Sequence, residues 1–309
     1  MPRILVIGCG FIGSNIVEEL AAAGQPPAVL TRSAPAPDVA AKIAPGDLIV
    51  GDATDAETVE RALESADHVI FSAGGLLPAA SEENPEEDEQ LTLGPVRTVL
   101  DRLRERPGVG LTYLSSGGTV YGEPKETPVA ENAPTEPVSA YGRLHLQCED
   151  EVKAASGDHG LPARILRCAT VYGEHQHPDR GQGAVVTFLH RIERGEPIEL
   201  YGGGATIRDY VYVGDVARAA IALVGAGGPE VINVGSASGT SLLELLQAVE
   251  RELGREAQVN QHQPRGFEVH QIVLDTTLLH QTVELEITSL AAGIARTHRW
   301  LKTGRAERV

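Results

Sequence analysis

Short all-apolar runs alternate with stretches of helical spacing through the first half of the chain. Ile4 to Ile7 is such a run, and Gly8-Cys9-Gly10-Phe11-Ile12-Gly13 follows it at once, with apolar positions at Ile16, Val17 and Leu20 beyond. That order predicts a strand, a tight turn and a helix closed by Gly24. Runs at Ala28 to Leu30, Leu48 to Val50, His68 to Ser72, Tyr113 to Ser115 and Ala163 to Ala169 predict further strands. Helices are expected at Leu91 to Arg106 and from Tyr141 onward, with Thr54 and Glu57 at capping-box spacing before another. Such alternation predicts an α/β fold with a doubly wound parallel sheet, whose ligands lie beyond the carboxyl ends of the strands. After Gly173 the pattern changes: a helix (Ala184 to Arg194), a strand (Ile198 to Tyr201), a triple-glycine turn, Arg208 to Val213, a helix (Asp215 to Val224), a strand (Val231 to Val234) and helices at Leu242 to Leu253 and near Leu290 to Leu301. These suggest a smaller C-terminal lobe with segments returning to the main sheet.

The G-x-G-x-x-G turn between strand and helix suits dinucleotide binding, because backbone N–H groups and the helix N-terminus can meet a pyrophosphate. Candidate cofactor contacts there are Gly8, Gly10, Phe11, Ile12 and Gly13. The next strand ends in Thr31-Arg32-Ser33, where a carboxylate would suit a free ribose 2'-hydroxyl and an arginine a 2'-phosphate. Arg32 therefore points to NADP(H), unless it only stacks on adenine, with NAD the alternative. Asp52, with Ala53 beside it, could accept from the adenine amino group, and Ala73-Gly74 would let the cofactor's backbone pass closely. The acidic run Glu82 to Glu89 is expected to be solvated loop and helix start.

Ser116-Gly117-Gly118 leaves the strand at Tyr113, and the helix that follows carries Tyr141 and His145 four residues apart, on one face. A phenol and an imidazole there suggest proton transfer; a tyrosine on the surface of an ordinary helix is the plain alternative. His175 and His177 lack a third metal ligand at useful spacing, so no metal site is expected and the loop from Gly173 to Gly183 is taken as mobile.

Composition narrows the classes. The chain has 309 residues, 42% hydrophobic and 22% charged, with a net charge of -17. That balance argues against nucleic acid as a partner, since phosphate backbones need a basic surface. No apolar run approaches membrane-spanning length and the start lacks a signal-peptide pattern, so no membrane association and a cytoplasmic location are expected. Three widely spaced cysteines read as reduced core thiols.

GCGFIG, GDATD, SSGGTVYG, SAYGRLH, LRCATVYG, GEPIELYGGGATIRDYVYVGDVA and NVGSASGTSLLELL, taken together, resemble the extended short-chain dehydrogenase/reductase superfamily, in its nucleotide-sugar epimerase/dehydratase family. Some of these stretches are closest to UDP-glucose 4-epimerase-like members; Thr170 is more like deoxysugar 4-ketoreductases. The resemblance implies a Rossmann-type domain over residues 1–172, with 214–236 returning to it, and a nucleotide-sugar-binding lobe over 173–213 and 237–309. It implies Tyr141 as catalytic acid/base, with His145, Ser116 and Thr119 assisting, and Tyr141 and His145 also touching the cofactor. It implies a nucleotide-diphosphate sugar held by Arg208 and Arg265, with Gly118 and Thr170 near it and Ala184, Val185, Phe188 and Tyr201 around the base. A homodimer through the Leu91 to Arg106 and Tyr141 to Ala155 helices is also implied.

The chain departs from the family pattern at four places: His145 replaces lysine, Gly117 replaces serine or threonine, Thr170 replaces asparagine, and Ile7 replaces the first glycine. The lysine's fixed charge lowers the tyrosine pKa and its ammonium binds ribose, whereas a histidine is mostly neutral at pH 7. Oxidising an alcohol needs tyrosinate and reducing a ketone needs the neutral phenol. The expected activity is therefore NADPH-dependent reduction of a nucleotide-linked keto-sugar, with an NAD-dependent 4-epimerase as the alternative. A catalytically weak binding protein is a third.

Overall fold

The computed structural model describes residues 2–178, 183–263 and 269–303. In chain order the first part comprises β1 (Ile4–Ile7), α1 (Phe11–Ala22), β2 (Ala28–Thr31), α2 (Pro37–Ala40), β3 (Leu48–Val50), α3 (Ala56–Leu63), β4 (His68–Phe71), α4 (Pro78–Glu83), α5 (Pro85–Arg104), β5 (Gly110–Ser116), α6 (Ala140–His159) and β6 (Ala163–Cys168). The rest comprises β7 (Thr170–Tyr172), α7 (Ala184–Glu193), β8 (Ile198–Tyr201), β9 (Ile207–Tyr212), α8 (Val213–Ala222), β10 (Val231–Val234), β11 (Gly239–Ser241), α9 (Leu242–Leu253), β12 (Val259–His262), β13 (Gln271–Ile272), α10 (Thr277–Thr282) and α11 (Leu290–Lys302).

Seven strands form one parallel sheet in the order β10-β6-β5-β4-β1-β2-β3. The strands are largely apolar because both faces are covered, and the polar exceptions His68, Thr112, Arg164, Arg167 and Asn233 are buried with hydrogen-bond partners. Val59, Leu63, Leu93, Val96, Val99, Cys148 and Val152 from α3, α5 and α6 pack on one face. Ile16, Val17, Leu20, Val216 and Ala220 from α1 and α8 pack on the other. The strand order reverses direction between β1 and β4, and in open sheets of this kind the ligand crevice lies at that switch. A third core, built from Tyr172, Leu189, Ile198, Tyr210, Leu245 and Ile294, joins α7, α9 and α11 to the small sheet of β11, β9, β13 and β7. No helix among the described residues is long and apolar enough to cross a membrane.

Three local expectations are corrected. Asp55, not Thr54, caps α3, accepting from the Thr58 N–H at 3.1 Å; Thr54 instead donates to Asp52. Helix α5 starts at Pro85, six residues before Leu91, so part of the acidic run is helical. Within that run Asp88 is buried rather than solvated.

Candidate active site

The cofactor end of the site begins where β1 meets α1. A Cβ on Gly8 would lie 2.5 Å from the Ala73 backbone, and one on Gly13 would run into the Gly8 carbonyl and the Ser72 hydroxyl. Those two positions are bare because strand, turn and helix pack there without a gap. Gly10 differs, since nothing lies within 4 Å of a Cβ built on it; its bareness leaves space toward the cleft. Gly10 also caps α1 without a side-chain hydrogen bond, and the first helical turn holds no acidic residue. Its N–H groups are left for an anion, which fits a dinucleotide pyrophosphate.

A cleft of about 520 Å³ opens from this turn. Gly8, Gly10 and Phe11 line it from the turn, and Thr31, Arg32 and Ser33 from the end of β2. Asp52, Ala53, Ala73 and Gly74 line its other wall. Ile12 packs its side chain on the core and Gly13 is buried, so these two offer the cleft only their backbone N–H groups. Thr31 Oγ1 donates to the Ser33 carbonyl at 3.2 Å, which shapes the turn that exposes Arg32. Asp52 Oδ1 already accepts from the Thr54 N–H and hydroxyl, at 2.8 Å each.

His175, Gln176 and His177 complete the cleft from the loop after β7. His175 and Gln176 are buried here, while residues 179–182 of the loop expected to be mobile lie outside the described residues. Asn15 Nδ2 donates to the Glu174 carbonyl at 2.9 Å, and buried His175 sits 3.4 Å from Glu18 with its ring 5.4 Å from that of Trp300. Burial alone would raise the Glu18 pKa, but His175 and Lys42 bring it down to about 2.

The residues expected to transfer a proton lie at β5 and α6. Ser139 caps α6 by accepting from the Gly142 N–H at 3.0 Å, which fixes Tyr141 in the first turn. The Tyr141 and His145 rings lie 4.4 Å apart at 54°. His145 is 7% exposed, and its Nδ1 lies 3.1 Å from the hydroxyl of Tyr113 on β5, a fully buried residue. The imidazole is thus wedged between Tyr141 and the sheet, and neither Tyr141 nor His145 lines the cleft, where the cofactor contact implied for both would place them. Burial pushes its pKa down to about 4, against the opposing pull of Asp88 and Glu149. Burial also raises the Tyr141 phenol above its ordinary value, and the Asp88 charge adds to the rise.

Thr119 Oγ1 donates to Ser116 Oγ at 2.8 Å, so the two hydroxyls at the end of β5 form one unit. A side chain at Gly117 would meet Leu274 at 2.7 Å and the Arg167 carbonyl at 2.8 Å, which is why no serine fits there. A Cβ on Gly142 would stand 2.8 Å from the Thr119 carbonyl, so the Thr119 loop packs on the turn that holds Tyr141. One helical turn beyond His145, Glu149 accepts from Ser115 at 2.7 Å and from the Arg167 fork at 3.0 and 2.7 Å, with both charges buried.

Among the residues expected to hold substrate, Gly118 faces Thr170, whose Oγ1 would be 3.9 Å from a Cβ there. Arg208 is half-buried on β9 with Nη1 on the Ile207 carbonyl at 2.8 Å, and Tyr201 stacks on His262 at 4.8 Å. Val185 and Phe188 are corrections: both are buried in the third core beside Tyr172, with Ala184 packed on its edge, so they do not line an open base pocket. Arg265 lies outside the described residues. Cys148 and Cys168 are buried thiols pushed up to about 12 by burial, while Cys9 is partly exposed in the cleft.

Residues 4–235 match the model of the NAD dependent epimerase/dehydratase family. The chain belongs to that family. It is a nicotinamide-dependent enzyme of the extended short-chain dehydrogenase/reductase superfamily. It is 31% identical to the UDP-glucose 4-epimerase of Mycolicibacterium smegmatis over 96% of this chain and 97% of that one. It is 27% identical to the dTDP-4-dehydro-6-deoxy-D-allose reductase of Streptomyces bikiniensis over 97% of this chain and 96% of that one. The UDP-glucose 4-epimerase of Thermus thermophilus, solved in complex with NAD, superposes with a TM-score of 0.86 at 32% identity, covering 97% of this chain and 99% of that one. Within the epimerase/dehydratase family, then, both epimerases and reductases share this architecture.

Sequence reasoning missed Tyr113, which engages the His145 ring, and the burial of Asp88. Asp88 could have been found, since it stands one helical turn before Thr92 on the face that continues through Val96 and Val99.

Proposed function

We propose that the protein reduces a nucleotide-diphosphate keto-sugar with NADP(H), Tyr141 being the proton donor. The observation that carries this reading is the ring packed on that phenol: a neutral, buried His145, 4.4 Å from it, where the family has lysine. A reduced nicotinamide, when bound, supplies hydride to the carbonyl carbon. Tyr141 then gives its proton to the oxygen as charge develops there, and the phenolate regains a proton from water. The resting phenol already holds the proton that reduction needs; an alcohol oxidation has to begin from tyrosinate, each pKa unit being about 1.4 kcal/mol. Arg32 beside Thr31 and Ser33, with no carboxylate at the end of β2, supports NADP(H) over NAD. Arg208, together with Arg265, is the proposed grip on the diphosphate, and the elements from residues 173–213 and 237–309 form the sugar-nucleotide side. We also propose a cytoplasmic homodimer through α5 and α6.

A 4-epimerase that retains NAD is the second reading, favoured by relatives of that name at 31–32% identity over nearly the whole chain. The deciding experiment offers the purified protein UDP-glucose or UDP-galactose without added nicotinamide, and separately a dTDP- or UDP-4-keto-sugar with NADPH or NADH. NADPH consumption dependent on the keto-sugar is expected. Interconversion of the two UDP-hexoses without added cofactor would replace the reductase reading by the epimerase one.

A further inference from the structure

Helix α1 opens on the glycine turn, and the two oxygens of its Glu18 reach different walls of the cleft. Oε1 accepts from Nζ of Lys42. Lys42 belongs to the end of α2, its N–H donating to the Val39 carbonyl at 3.0 Å, and the chain leading into α2, from Ala34 to Pro37, lines the cleft beside Arg32. Oε2 lies 3.4 Å from Nε2 of His175, which lines the cleft with Gln176 from the loop after β7. Glu18 is not itself among the lining residues, so it acts on a ligand through these two partners.

The loop after β7 carries the marks of a wall whose contacts are unfinished. His175 has a φ of 65°, in the left-handed region that a residue with a side chain enters at a cost. The residue is 8% exposed, yet its Nε2, although within ion-pair reach of Glu18, makes no hydrogen bond, and Gln176 Oε1 is likewise buried without a partner. Neighbouring polar atoms left unpaired in this way call for donors and acceptors from elsewhere, and the phosphates and ribose hydroxyls of a dinucleotide offer both. One residue earlier the loop is already anchored on α1, where Asn15 Nδ2 donates to the Glu174 carbonyl at 2.9 Å. Glu18 adds a second anchor on the same helix, and this one also holds α2.

We infer that Glu18 is a positioning residue for the cofactor: shared between Lys42 and His175, its carboxylate draws the two walls together over a bound dinucleotide and lengthens its stay. This rests on the cleft holding the dinucleotide and not on the direction of hydride transfer. Residence matters to both readings of the reaction, since a reductase exchanges its cofactor at each turnover and an epimerase that retains NAD does not.

The test measures departure of the cofactor directly. NADPH or NADH, whichever the purified protein binds more tightly, is loaded and then chased with an excess of its oxidised form, and the loss of bound-nucleotide fluorescence gives koff. Glu18→Gln, which keeps the shape and removes the charge, is expected to raise koff about fivefold or more, with kon within about threefold of wild type. Lys42→Met is expected to raise koff on its own and to add less than about twofold on top of Glu18→Gln, because the second change removes little that the first has left. An unchanged koff in Glu18→Gln, or a Lys42→Met effect just as large in both backgrounds, overturns the inference. A lower Tm with an unaltered koff does the same, since it makes the contact merely structural. If Glu18→Gln does not fold, Lys42→Met, whose side chain is partly exposed, decides alone by the same criterion. Gly10→Ala keeps the two claims apart: weaker cofactor binding there beside an unaltered koff in Glu18→Gln sinks the role of Glu18 alone, and no effect in either sinks the reading of the cleft as well.

Discussion

Tyr141 is held by its helix turn, by the ring of His145 and by the Thr119 loop, so replacing its hydroxyl should disturb chemistry without disturbing shape. Tyr141→Phe is expected to lower turnover about 10²- to 10⁴-fold, the usual contribution of a positioned general acid, while the cofactor Kd stays the same. A measured kcat loss below tenfold would move the proton-donor role elsewhere. The glycine turn offers a paired test, because its bare positions are bare for different reasons. Gly13→Ala drives a methyl into the Gly8 carbonyl and is expected to lower Tm sharply. Gly10→Ala meets no protein atom within 4 Å, and is expected to keep the fold and weaken dinucleotide binding at least tenfold by calorimetric titration. Both roles were readable as one motif in the sequence; which glycine serves packing and which serves the ligand was not, because that depends on Ala73 and Ser72, which arrive only three strands later along the chain.

At the scale of elements, α6 carries a stripe of Tyr141, His145 and Glu149, each one turn apart and the latter two engaged by β5 through Tyr113 and Ser115. The spacing was legible, since residues four apart share a helical face. What lay opposite was not, because the register of β5 against α6 decides that Tyr113 meets the imidazole. The same limit applies to α7: its apolar face was evident, but a face against a core and a face against a ligand read alike, and Val185 and Phe188 went to the core. Helix α5 began early because Pro85 and the first-turn acidic residues form a good N-terminus. Below the stripe, the Arg167–Glu149 pair ties α6 to β6 with both side chains buried. Removing one partner strands a charge, so Arg167→Met is expected to cost about 3–5 kcal/mol in urea unfolding. The double variant Arg167→Met/Glu149→Leu is expected to recover most of that loss, and no recovery would mean that the pair contributes attraction well beyond its own desolvation.

For the molecule as a whole, the parallel sheet was the most legible feature, because strands covered on both faces are written as short, mostly apolar runs. Its stability carries a pH signature. His68 and His145 are buried and neutral, with burial pushing each pKa down to about 4. A histidine with a depressed folded pKa contributes stability that is complete above its unfolded value of about 6.5 and is lost as pH falls toward 4. Each contributes at most on the order of 3 kcal/mol by that linkage. Glu149, held low by Arg167 despite its burial, and Glu18, held at about 2 by His175 and Lys42 despite its own, add losses below the ordinary carboxylate range. Calorimetric Tm is therefore expected to decline from pH 6.5 downward, and His68→Gln or His145→Gln to flatten that decline. An acid slope identical in wild type and both variants would assign the sensitivity to other groups.

The chain contains a single tryptophan, and Trp300 lies with its ring 5.4 Å from that of His175, a wall of the cofactor cleft. Its emission is accordingly a built-in gauge of that wall, free of competing indoles. Adding dinucleotide should change its intensity or colour in a saturable way, and in Tyr141→Phe the same curve should be traced, so occupancy can be followed in a catalytically silent protein without any label.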